Sequence, residues 1–345
     1  MVEKLKEEMF FPAEWYPQSA IQIAWPHPQT DWVEILDEVT ACYVQFSKEI
    51  LKHQKLVVVC SNSGDAAKHF SDEEKSKLVT VEVETNDTWA RDHAGISIFE
   101  GGKPVMIDFG FNGWGLKFAA NHDNQITRQL FEKTVYHRNV GYKNKINFIL
   151  EGGAIESDGK GTLMTTSHCL LAPNRNQPMK QDEIEDFLKK NLGVNRILWL
   201  NHGYLAGDDT DSHIDTLVRF CNENTIAYVK CEDEKDEHFS ELLKMEKELT
   251  DFKTSEGNPY KLIPLPMADA VYQDGYRLPA TYANFLIINH VVLMPTYSSP
   301  KDGIAREQLQ KAFPDREVIG IDCNALIKQH GSLHCVTMQL PEGFI

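Results

Sequence analysis

Residues 95–109 read GISIFEGGKPVMIDF. Two apolar, β-branched runs flank Gly101-Gly102-Lys103, and such a pattern predicts a β-hairpin, because glycine supplies the positive φ that tight hairpin turns require. The signal recurs along the chain. Residues 148–155 and 161–166 flank Asp158-Gly159-Lys160, Phe220 and residues 226–230 flank residues 222–224, and residues 285–295 enclose Asn289-His290. Helical periodicity lies between the hairpins, at 32–53, 181–192, 234–252 and 303–313, with Gly193 and Pro314 as stop signals. In the first of these, Ile35, Val39, Cys42, Phe46 and Ile50 share one face. KLVVVC at 55–60 reads as a buried strand, LVTVEVE at 78–84 and residues 21–26 as further strands, and 71–77 as a polar helix or turn. Hairpin, helix and strand thus alternate in about five units of about 70 residues, compatible with a closed set of similar modules, although an open α+β sheet fits the pattern nearly as well. No linker or low-complexity tract divides the chain, so 1–345 is expected to be a single domain.

The totals narrow the function. The chain has 345 residues, 42% hydrophobic, with a formal net charge of -16. That excess of acid argues against nucleic acid or an anionic membrane as partner and suits a cationic small molecule. The seven cysteines contain no CxxC pair and are odd in number, which points to reduced thiols and a cytoplasmic protein. The opening MVEKLKEEMFFPAEW is acidic where a signal peptide is apolar, and no run is long enough to span a membrane.

The densest chemistry lies in GDDTDSHID at 207–215, four carboxylates and an imidazole. If residues 216–220 form a strand, His213 and Asp215 leave one face of it and one can orient the other, with Asp209 directed back over the same spot. The alternative is a polar loop with a satisfied histidine. ETNDTWARDHAG at 84–95 carries Asp87, Trp89 and Asp92, two carboxylates and an indole able to bind and stack on a planar cation, unless Arg91 and Asp92 simply pair. Leu150-Glu151-Gly152-Gly153 presents an acid at a strand end followed by glycines that permit close approach to the backbone, or is merely a bulge. HGSLHC at 330–335 places Cys335 behind a glycine at a loop-to-strand junction, where a thiol can be approached. His93, His122, His202, His213 and Asp215 are the candidate zinc ligands, but no two of these histidines stand at the HxH or HxxxH spacing that would support a metal site.

Taken in order, Trp25-Pro26, the NDTWARDHAG segment, Phe111-Asn112-Gly113-Trp114-Gly115, LEGG with DGKGT, Asn174-Arg175-Asn176, DDTDSHID and HGSLHCVTMQLP resemble the agmatine deiminase and bacterial peptidylarginine deiminase family of the guanidine-modifying superfamily. The resemblance runs nearly end to end. It implies an α/β fold, a pentein-like propeller of five ββαβ modules around a pseudo-fivefold axis. It implies Cys335 as nucleophile, His213 as general acid and then base, and Asp215 with Glu151 supporting that histidine and the substrate nitrogens. Asp87, Asp92 and Asp209 are implied to bind a guanidinium, with Trp89 and Trp114 lining its pocket. No metal or other cofactor is implied. The activity implied is hydrolysis of agmatine to N-carbamoylputrescine and ammonia, in putrescine biosynthesis, with peptidylarginine deimination as the alternative; a homodimer is an open possibility. The chain departs from the family at Asp211-Ser212 before the histidine, at Gln329-His330-Gly331-Ser332 before the cysteine, and at Asp92-His93-Ala94-Gly95. Asp211 either faces an amine-bearing substrate tail or faces solvent, and His334 has no assigned role.

Overall fold

The glycines of residues 95–109 do what their position demands. Gly101 (φ 57°) and Gly102 (φ 74°) turn the chain between the antiparallel strands Ile96–Glu100 and Lys103–Gly110. After the helix Ile126–Glu132, strand Gly141–Ile149 pairs parallel to the second hairpin strand. This computed structural model describes residues 9–345, so the first eight residues of the acidic opening lie outside it.

The same unit is built four more times. Ile155–Ser157 and Thr162–Thr166 are followed by helix Gln181–Leu192 and parallel strand Arg196–Leu200. Val218–Asn222 and Thr225–Lys230 are followed by helix Phe239–Asp251 and Lys261–Pro266. Leu286–Ile287 and Val291–Thr296 are followed by helix Lys301–Ala312 and Glu317–Asp322. The last unit joins the two ends of the chain: Met338–Pro341 pairs antiparallel with Gln18–Ala24, and helix Leu36–His53 leads to Lys55–Cys60 and then Leu78–Glu82, both parallel. Strands in the middle of these sheets are apolar on both faces; Leu56, Val57, Val58 and Val59 are all fully buried.

The propeller expected from the resemblance is not what these strands form. Among the described residues they divide into six open sheets of two to four strands, the sixth being the hairpin Tyr272–Gln273 with Tyr276–Arg277. None closes into a barrel or curls into a propeller around a pseudo-fivefold axis. The physical reason is that hairpin turns and alternation specify only local pairing, whereas the disposition of the units is set by packing that no single segment encodes.

Local boundaries shift for similar reasons. The helix expected at 32–53 starts with a 3-10 turn at Val33–Ile35, leaving Ile35 half-buried while Tyr43 and Leu51 join the buried face. Residues 234–238 are turn, and residues 214–216 form a 3-10 turn rather than the start of a strand. No helix of the described residues is long and apolar enough to cross a membrane.

What matters for function is the segment just ahead of the first strand of each hairpin. Asp92 precedes Ile96, Glu151 precedes Ile155, His213 and Asp215 precede Val218, Asn284 precedes Leu286, and Cys335 precedes Met338. Each unit therefore delivers polar side chains from an equivalent place.

Candidate active site

Those five segments meet beside a cavity of about 170 Å³. Cys335, His213, Asp87, Asp92, Asp209, Trp89 and Trp114 all line it, joined by Asp31, Asp208, Phe118, Gln329 and His330. Glu151 and Asp215 do not line it; both are fully buried beneath.

Two glycines make the convergence possible. A Cβ on Gly153 would lie 2.6 Å from His213 Nδ1, 2.8 Å from Asp92 Oδ1 and 3.3 Å from Asp215 Oδ1. A Cβ on Gly331 would lie 2.1 Å from the Trp89 ring. Neither position tolerates a side chain without moving the site. The groups that crowd onto the LEGG glycines are thus His213, Asp92 and Asp215.

Cys335 is 8% exposed and its Sγ donates to Asn284 Oδ1 at 3.3 Å, an oxygen that also accepts from the backbone N–H of Cys335 (3.2 Å) and of His334 (2.9 Å). Burial pushes the Cys335 thiol well above its ordinary range, and the nearby charges of Asp215 and Asp92 push it further. Those surroundings favour the neutral thiol, and a cation placed against the carboxylates would draw off its proton.

Asp92 accepts from Trp114 Nε1 (3.0 Å) and from the Gly153 N–H (2.9 Å), and its Oδ1 lies 3.5 Å from His213 Nδ1. Burial raises the Asp92 carboxyl to about 6 against the pull of His213. Asp87 is likewise raised to about 6 by burial, with Thr88 N–H donating to its Oδ1 at 2.8 Å. Burial opposes charge on His213, yet Asp92, Cys169 and Glu151 hold it well above the histidine range. Since burial also raises Cys169, that residue stays a neutral thiol, and the charges that act on His213 are Asp92 and Glu151. His213 Nε2 is buried with no hydrogen-bond partner among the described residues.

Arg91 and Asp92 do not pair. One helical turn, Ala90–His93, sends them apart, and Arg91 donates to Gln339 Oε1 at 2.7 Å instead. Asp215 does not hydrogen-bond His213 either; its Oδ2 meets His334 Nδ1 at 2.7 Å. Glu151 receives Arg175 Nε at 3.0 and 3.2 Å, and the same guanidinium reaches Asp211 at 2.6 Å. Lys117 Nζ donates to the second Asp211 oxygen at 2.8 Å and to the Asp209 carbonyl at 2.6 Å. Asp211 is thereby paired with two cations while its side chain stays 33% exposed, and it does not line the cavity.

The loops around the mouth are held in uncommon conformations. Trp114 (φ 55°), Asp211 (φ 66°), Ser212 (φ 64°) and His330 (φ 66°) all occupy the left-handed region, which costs on the order of 1–3 kcal/mol each. Asp208 braces one of these turns, accepting from Thr210 Oγ1 (2.6 Å) and Ser212 N–H (2.7 Å).

The candidate zinc ligands are dispersed: His122 faces Glu84, His202 faces Glu241, and His93 packs on Phe111. Two buried clusters, Glu151 with Cys169 and His213, and Glu14 with Glu156 and His334, bring ligand-type atoms within 4.8 Å of one another. In each, an arginine is already the counter-charge, Arg175 in the first and Arg219 in the second.

The family model for the Porphyromonas-type peptidyl-arginine deiminases matches residues 10–341. The chain belongs to that family. Similar proteins of solved structure include a Porphyromonas gingivalis protein provisionally assigned as an arginine deiminase, 54% identical with a TM-score of 0.95, the match covering 98% of this chain and 100% of that one. The C. jejuni agmatine deiminase, in a cysteine-to-serine form with substrate bound, is 37% identical with a TM-score of 0.91, covering 98% and 97%. An agmatine deiminase of Pseudomonas aeruginosa is 30% identical over 96% of this chain and 95% of its own. Membership makes the chain a hydrolase of C–N bonds in guanidinium-type groups.

Proposed function

We propose that the chain, acting as one catalytic domain, is a cysteine-dependent deiminase that hydrolyses the guanidinium of agmatine to N-carbamoylputrescine and ammonia. The observation that carries this reading is the cavity wall: Cys335 and His213 stand among the carboxylates of Asp31, Asp87, Asp92, Asp208 and Asp209, and no lysine or arginine lines it among the described residues. Such a wall suits a substrate that is cationic at both ends and carries no carboxylate.

The chemistry follows from the site. Asp87, Asp92 and Asp209 hold the guanidinium plane, with Asp215 reaching it from below and the Trp89 and Trp114 rings alongside. The bound cation lowers the Cys335 pKa and the thiol proton is released. Sulfur attacks the guanidinium carbon, and His213, protonated in the resting site, gives its proton to the leaving nitrogen as the C–N bond breaks and ammonia departs. An amidino-thioether remains. His213, now neutral, takes a proton from water, and the hydroxide adds to the same carbon. The C–S bond breaks with its electron pair returning to sulfur, which takes up the proton of the added hydroxyl as the carbonyl forms, and the neutral ureido product leaves. Glu151 supports His213 electrostatically from behind.

The test is ammonia release from agmatine, free arginine and a blocked arginyl peptide in parallel, with Cys335→Ala and EDTA-treated enzyme as controls. Turnover selective for agmatine, absent in Cys335→Ala and indifferent to EDTA, supports the reading. Turnover selective for the peptide replaces it with peptidylarginine deimination, and chelator sensitivity replaces it with metal hydrolysis.

A further inference from the structure

His334 sits next to the nucleophile yet faces away from the cavity, 1% exposed, between two carboxylates. Its Nδ1 lies 2.7 Å from Asp215 Oδ2 and its Nε2 lies 2.7 Å from Glu14 Oε2. Glu14 comes from the far end of the chain and is itself fixed by Arg219 Nη2 at 2.6 Å and by the Ile287 N–H at 2.6 Å. Each ring nitrogen of His334 thus faces a carboxylate oxygen at hydrogen-bond distance. Asp215 Oδ2 is further tied to Asn284 Nδ2 at 3.3 Å, whereas Oδ1 of the same carboxylate is buried with no hydrogen-bond partner among the described residues. That oxygen faces the point at Gly153 on which His213 and Asp92 also converge. A buried acceptor without a donor is costly, and here the missing donor would come from a bound guanidinium.

We propose that Glu14 and His334 are positioning residues forming a carboxylate–imidazole–carboxylate relay, which locks Asp215 Oδ2 so that Oδ1 stands preorganised to receive a substrate N–H. The relay rests on the function proposed above and assigns His334 a task in binding. Asp215 touches substrate; Glu14 and His334 act only through it. Because the bond to the guanidinium exists from the moment of binding, loss of the relay weakens ground-state affinity and raises KM more than it lowers kcat.

The test is calorimetric titration of agmatine into the turnover-deficient Cys335→Ala protein, alone and combined with Asp215→Asn, His334→Gln, both, or Glu14→Gln. His334→Gln is expected to weaken binding about tenfold or more, the scale of a hydrogen bond to a charged group. Asp215→Asn is expected to weaken it at least as much, and the double variant no more than Asp215→Asn alone, because the relay has no other route to the substrate. Unchanged affinity in His334→Gln, or losses that simply add in the double variant, overturns the relay while leaving the deiminase reading intact. Failure of agmatine to bind even Cys335→Ala overturns both. If His334→Gln does not fold, Glu14→Gln decides: about threefold or greater weakening supports the relay, and unchanged affinity overturns it.

Discussion

Two carboxylates of the cavity wall, Asp87 and Asp92, and two of the layer behind it, Glu14 and Asp215, behave oppositely. In front, Asp87 is half-buried and Asp92 buried, with no cation against them except His213 among the described residues, and desolvation lifts both to about 6. Behind, Glu14 meets Arg219, His334 and Arg91, and despite burial it is held far below the carboxylate range; Asp215, bonded to His334, is lowered too. The layer behind already contains its cations, whereas the wall in front is short of one. A binding site for a guanidinium is thus visible as an electrostatic deficit before any ligand is present.

The contrast breaks first if the reacting groups are not those on the front wall. His213→Gln is expected to lower kcat by about 10²–10⁴-fold, the range for loss of a general acid–base group, with little change in melting temperature. A loss below about threefold would remove His213 from the mechanism.

Stability should separate the two regions next. Arg219→Met strands Glu14 and Glu156 and is expected to cost about 3–5 kcal/mol in denaturant unfolding. Asp92→Asn removes a charge the fold does not need, so its stability should change by less than about 1 kcal/mol while KM for agmatine rises on the order of tenfold to a hundredfold. Equal destabilisation by the two would erase the distinction.

How much of this was legible beforehand differs by residue. Cys335, His213, Asp87, Asp92, Trp89 and Trp114 sit in short motifs whose composition announces chemistry, and the fold delivers all of them to one cavity. The hairpins were legible because glycine turns and alternation are local signals. Glu14 and Asn284 were not, since each lies in a segment without special pattern, and their importance comes from contacts with residues 320 and 51 positions away. Asp211 was undecidable for the same reason, its partners Lys117 and Arg175 being distant in sequence. The arrangement of the sheets departs from the expected propeller because repeated local units do not dictate closure.

A smaller effect concerns pH. Below about 6, Asp87 and Asp92 take up protons and the front wall loses the charge that attracts the substrate, so KM should rise as pH falls, by up to about tenfold per unit for each of the two carboxylates. A KM flat from pH 7 to pH 5 would show that neither carboxylate meets the cation. Smallest of all, Lys117→Met removes a half-exposed partner of Asp211 and is expected to change KM by less than about fivefold, since Arg175 still holds that carboxylate.

The covalent step on Cys335 is the one on which every other role depends, and mass spectrometry of enzyme acid-quenched during agmatine turnover addresses it directly. The expected result is a peptide containing Cys335 that carries the amidino group derived from agmatine, absent from enzyme quenched without substrate. Steady ammonia release with Cys335 unmodified throughout, or with Cys335→Ala still turning over, would contradict it.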